Sequence, residues 1–109
     1  MNRVVLTAQI VERQALRYTP AGLPALDLRV AHDSVVQEAG ASRKVSFEMR
    51  AVGIGAMAER LNRIAVGDTA RIAGFLGPIA RGKSVVLHIT ELQSIDPQAP
   101  EPAATVREP

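Results

Sequence analysis

Apolar and polar residues alternate with a period of two over several stretches of this chain, the spacing of strands that bury one face. From 4 to 12, Val4, Leu6, Ala8 and Ile10 share one side, and Val5, Thr7, Gln9 and Val11 the other. That second side is itself partly apolar and predicts a further covering surface, with a second subunit the favoured candidate. Thr19-Pro20-Ala21-Gly22 supplies turn chemistry. A second strand follows over 24–31, with Leu26, Leu28 and Val30 opposed to Asp27, Arg29 and Ala31. Residues 32–43 lose the period and contain Gly40, which predicts a long hairpin loop. The alternation returns where Val45, Phe47, Met49 and Ala51 interleave with Lys44, Ser46, Glu48 and Arg50.

The period then changes. Ile54, Met57, Leu61 and Ile64 are spaced for one apolar helical stripe, with Glu59, Arg60 and Arg63 on the solvent side, so a short helix is predicted over 54–64. Gly67-Asp68 turns the chain into a fourth strand over 69–76. A loop over 77–83 and a fifth strand over 84–95 complete the body. Four of the seven prolines lie at or beyond 97, where the composition predicts a flexible tail, 97–109, after a domain covering 1–96. Five strands with a short helix between the third and fourth predict an all-β chain, specifically a five-stranded Greek-key barrel of the OB-fold type.

Composition narrows the chemistry. The 109 residues are 47% hydrophobic, which fits one globular domain. There is no cysteine, so disulfides, thiolate metal sites and cysteine nucleophiles are excluded. His32 and His88 stand in no ligand spacing, so neither a metal nor another cofactor is expected. No run approaches a membrane span, and the start at Met1-Asn2-Arg3 has no signal-peptide pattern, so a cytoplasmic location is expected. His32-Asp33-Ser34 holds the residue types of a nucleophilic triad, but consecutive strand residues point apart. Gly53-Ile54-Gly55 lacks the third glycine of a dinucleotide fingerprint. The expectation is a protein that is not an enzyme.

The net charge is +2, and the acidic tail leaves the body slightly more positive. Only two of the 13 cationic residues are lysine, which leans toward bidentate contact with phosphates or carboxylates. Arg29, Lys44 and Arg50 fall on outward positions of neighbouring strands and form a candidate basic face. Arg17, Arg43, Arg81 and Lys83, in the turns and loops, are placed to extend it. Asp27 and Glu48 are positioned to pair with Arg29 and Arg50 across the strands. Tyr18, at a turn, either meets a ligand or caps the barrel. Phe47 and Phe75 are expected in the core, and Arg60 and Arg63 in solvent.

The strings Leu16-Arg17-Tyr18-Thr19-Pro20-Ala21-Gly22-Leu23-Pro24, Ala31-His32-Asp33-Ser34, Gln37-Glu38-Ala39-Gly40, Val66-Gly67-Asp68, Ala73-Gly74-Phe75-Leu76 and Val86-Leu87-His88 occur in an order that resembles the primosomal replication protein N family. The resemblance covers about residues 3–95. It implies a bacterial, homodimeric OB-fold protein related to single-stranded-DNA-binding protein. Its implied role is in replication restart, binding single-stranded DNA and bridging the PriA helicase and other primosome proteins so that the replicative helicase is reloaded. Arg17, Arg43, Arg81 and Lys83 match the family's DNA-contacting positions by type and location. Ala41 and Ser46 stand where the family pattern places aromatic residues. The chain has no tryptophan, one tyrosine and two phenylalanines. Base stacking is worth roughly 1–3 kcal/mol per base, so weak, phosphate-dominated and salt-sensitive binding is expected. The alternative is a primosome adaptor with little or no DNA affinity.

Overall fold

The computed structural model describes residues 1–78 and 84–94. Its elements are β1 (Val4–Arg13), β2 (Arg17–Tyr18), β3 (Pro24–Glu38), β4 (Ala41–Ile54), α1 (Ala56–Leu61), β5 (Thr69–Pro78) and β6 (Val85–Ser94). The ladder order is β1-β5-β6-β4-β3-β2, and a further β1–β3 pairing closes it into a five-stranded barrel with β2 as an appendage. β4 and β6 run parallel and the other pairs antiparallel. This is the predicted OB-fold connectivity, with the helix between the third and fourth barrel strands.

β1 serves both sides of the closure. Val4 to Gln9 pair with β5, and Gln9 to Arg13 pair with β3. A register shift between Ile10 and Glu12 lets the strand bend from one neighbour to the other. The inward side is the one the alternation predicted. Ile10, Leu26, Val30, Ile72 and Leu87 are fully buried there, joined by Leu61 from α1. The helix closes one end of the barrel, packing Ala58 and Leu61 against the core. Gly53 is what admits it, since a Cβ there would lie 2.5 Å from Leu61 Cδ1. Arg13 fastens the far end of the helical segment, donating to the carbonyls of Asn62 (3.0 Å) and Ile64.

The predicted loop over 32–43 is instead the far half of a long hairpin. β3 and β4 pair continuously from Ala25↔Ile54 to Glu38↔Ala41. The turn is two residues, Ala39 and Gly40, with φ of 54° and 81°, the positive values of the tight hairpin turn whose twist matches its strands. The period disappears because beyond Ala31 the hairpin projects past the barrel, so neither face selects for apolar residues. The helix is also shorter than its stripe. Gly55 precedes it, and Asn62 to Ile64 continue as hydrogen-bonded turns.

Candidate nucleic-acid interface

Residues opposite one another in a ladder point to the same face. With Leu28 and Ala51 in the core, the pairs Asp27↔Val52, Arg29↔Arg50, Ala31↔Glu48, Asp33↔Ser46 and Val35↔Lys44 all lie on the outer side of β3 and β4. The parallel pairs Ala51↔Leu87 and Val52↔His88 carry that face onto β6, and His88↔Phe75 carries it onto β5. One row of outward residues thus runs Asp27, Val52, His88, Phe75, with Arg29 and Arg50 beside it.

The cations on this face differ in how they are held. Arg17 reaches over from β2 and donates to both oxygens of Asp27, from Nε at 2.5 Å and Nη2 at 3.2 Å. That hydrogen bonding raises the guanidinium pKa above its usual value, so Arg17 is charged and partly neutralised. Arg29 pairs with Glu12 on β1 at 3.5 Å rather than with Asp27. Arg50 and Lys44 are exposed and make no ion pair among the described residues. Arg50 faces the like charge of Arg29, and Glu48 does not engage it. Two guanidiniums directly opposed on a sheet repel, and an anion between them would relieve that.

Other predicted residues lie elsewhere. Arg43 opposes Val36 on the reverse side of the hairpin and is paired with Glu38 at 2.5 Å, so it does not extend the outer face. Tyr18 is exposed at the barrel rim and alternates away from Arg17. Arg81 and Lys83 fall outside the described residues, as does the tail 97–109.

The expected core positions of the two phenylalanines are corrected. Phe47 has the inward parity but sits where the hairpin has left the barrel, 39% exposed and 5.2 Å from the His32 ring. Phe75 is 41% exposed on the outer face. Its parity is unreadable in sequence because Ile72-Ala73-Gly74-Phe75-Leu76 has no polar residue to mark a face. The hairpin has no aromatic at Ser46, whose hydroxyl donates to Asp33 at 2.7 Å. His32 and Asp33 alternate to opposite faces; His32 Nδ1 lies 2.8 Å from the Thr7 carbonyl and Nε2 2.9 Å from Ser34 Oγ, so the three residues form no triad.

A closed five-stranded barrel with cations on the outer wall of its central strands is the architecture of OB-fold proteins that bind single strands. The family described as another single-strand binding protein family matches residues 2–91. The replication restart protein PriB of Bordetella pertussis is 40% identical over 87% of this chain and 90% of its own length. The structure of PriB from Ralstonia solanacearum superposes with a TM-score of 0.80 at 39% identity, covering 86% of this chain and 97% of that one. Single-stranded DNA binding protein from Thermus aquaticus shares the fold, with a TM-score of 0.72 at 24% identity over 90% of this chain and 52% of that one. The chain belongs to the single-strand binding family and, within it, to the replication restart proteins of the PriB type.

Proposed function

We propose that this protein binds single-stranded DNA across the outer face of β3, β4, β6 and β5 during replication restart. In this reading it bridges the PriA helicase and the DNA so that the replicative helicase can be reloaded, working as a cytoplasmic homodimer beside single-stranded-DNA-binding protein. The observation that carries the DNA role is Arg50, exposed, without an ion-pair partner among the described residues and set against Arg29. A phosphate between them satisfies both. Lys44, further out on the same face, continues the track. The dimer is supported by β1: before Gln9 it pairs, among the described residues, with β5 alone, and Val5 is 52% exposed on its outer side. A free strand edge with apolar flanks is a ready partner for its own copy. Sedimentation giving a monomer at micromolar concentration refutes the dimer.

The Ser46–Asp33 pair favours a second reading. An outer hairpin face with an acid–hydroxyl pair and no aromatic ring is poor at stacking bases, and an adaptor that barely touches DNA would not need stacking. Fluorescence anisotropy of labelled oligothymidylate at 50 and 200 mM salt separates the two. With Arg29, Lys44 and Arg50 each neutralising a phosphate, the slope of log K against log salt is about −2, a roughly 20-fold fall over that range. Absence of binding at low salt leaves the adaptor.

A further inference from the structure

Phe75 and His88 face each other across β5 and β6 on the outer wall, their rings stacked with centroids 4.7 Å apart and planes 7° from parallel. Both lean along the strands over Gly77. A Cβ at that position would lie 3.0 Å from His88 Nε2, 3.1 Å from His88 Cδ2 and 3.6 Å from Phe75 Cε1. Glycine thus leaves free the space the ring edges fill. The core on the opposite side of the sheet is complete without them, formed here by Ile72, Leu87 and Ile89, and Phe75 takes no part in it. What results is an ordered aromatic surface with Phe75 41% open to solvent, in the row beside Arg50 and Arg29.

We propose that the stacked Phe75–His88 pair is the platform on which an unpaired base of single-stranded DNA rests while Arg50 and Arg29 hold the adjoining phosphates. The proposal deepens the DNA-binding reading above and rests on it. A base presents a flat π face with an anion close by, and this patch offers the outer face of a stacked ring pair beside Arg50, which makes no ion pair among the described residues. The platform also supplies what Ala41 and Ser46 withhold, since aromatic surface missing from the hairpin's outer face is present one strand pair away. An aromatic side chain of a protein partner would use the rings but leave the two arginines opposed.

The absence of tryptophan makes the test direct. Wild-type binding to oligothymidylate is measured first by anisotropy, then binding by Phe75→Leu, which keeps apolar bulk, and Gly77→Ala, which crowds the His88 ring. Phe75→Leu is expected to weaken oligothymidylate binding roughly 5- to 150-fold, the loss of one stacked base. Its affinity for an abasic oligomer of equal length should be unchanged, and circular dichroism should show an intact barrel. Gly77→Ala shifts affinity the same way by a smaller factor. Phe75→Trp installs a sole tryptophan whose emission oligothymidylate should quench, whereas Phe47→Trp, on the hairpin's other face, should stay unquenched. If the wild type binds but Phe75→Leu binds equally well, or Phe75→Trp emission does not respond, the platform is overturned and the DNA reading stands. If the wild type binds no DNA at low salt, the DNA reading itself fails and the platform falls with it.

Discussion

Arg50→Ala offers a sharp test because its effects on stability and on binding should part company. In the folded protein Arg50 has no ion-pair partner among the described residues and opposes Arg29. Truncating it removes a repulsion and no attraction, so stability should change by less than about 0.5 kcal/mol, with any shift upward. Binding should suffer. One phosphate contact to a single strand contributes about 0.7 to the slope of log K against log salt. Its loss therefore weakens affinity roughly fivefold at 0.1 M salt and only about twofold at 0.4 M, whatever other cations take part. Arg63→Ala, in the turn after α1 and outside the β3–β4–β6–β5 ladder, is the matched control. The assay is oligothymidylate anisotropy over a salt series, with urea unfolding run in parallel. Parallel salt lines for wild type and Arg50→Ala would show that Arg50 meets no phosphate, and the outer-face reading would lose its main support.

Three further outcomes follow from local geometry. Ala39 holds a φ of 54° in the hairpin turn, a left-handed conformation that asparagine tolerates better; Ala39→Asn should raise stability by about 1 kcal/mol by thermal unfolding, and a fall would refute the strain. Gly74 lies at the β5–β6 irregularity, where a Cβ would meet the His88 carbonyl oxygen at 1.8 Å. Gly74→Ala should therefore lower stability by about 3 kcal/mol or more in urea, since only backbone movement can accommodate it; a change under about 0.5 kcal/mol would contradict it. The Arg3 hydrogen bond, and then its charge, hold the Glu91 carboxyl below its ordinary value of 4.5. That contribution is fully present above the ordinary value and is lost as pH falls through the lowered one. Titration by NMR should show the Glu91 pKa rising in Arg3→Ala, and an unchanged value would dissolve the pairing.

The barrel was legible where one face of a strand meets the core. Leu26, Leu28 and Val30 announce their side because water touches only their neighbours' side. The same signal fails at Val35 and Val36, where the hairpin projects past the barrel and alternation has nothing to record. It misleads at Phe47, which keeps the inward parity of Met49 and Ala51 after the interior has ended. Phe75 was illegible for another reason: an unbroken apolar run carries no phase, and its face is fixed by pairing with His88, which local sequence does not encode. The cations were legible as a group but not their individual states. Asp27 is two residues from Arg29, yet β2 delivers Arg17 to it, and Glu12 reaches Arg29 only through the bend in β1.

The barrel's closure between β4 and β6 consists of two residue pairs, Ala51↔Leu87 and Val52↔His88, against the continuous ladder of the β3–β4 hairpin. So short a parallel join is where thermal breathing should begin, with the amides beside it exchanging with solvent deuterium ahead of those deep in the hairpin. This join also separates Arg50 from His88 and Phe75. A strand lying across the outer wall would therefore act as a clasp, spanning the join and favouring its paired state by mass action. Occupancy would then be written in slowed deuterium uptake at Val52, Leu87 and His88, so that a strand bound to the outer wall also holds the join together.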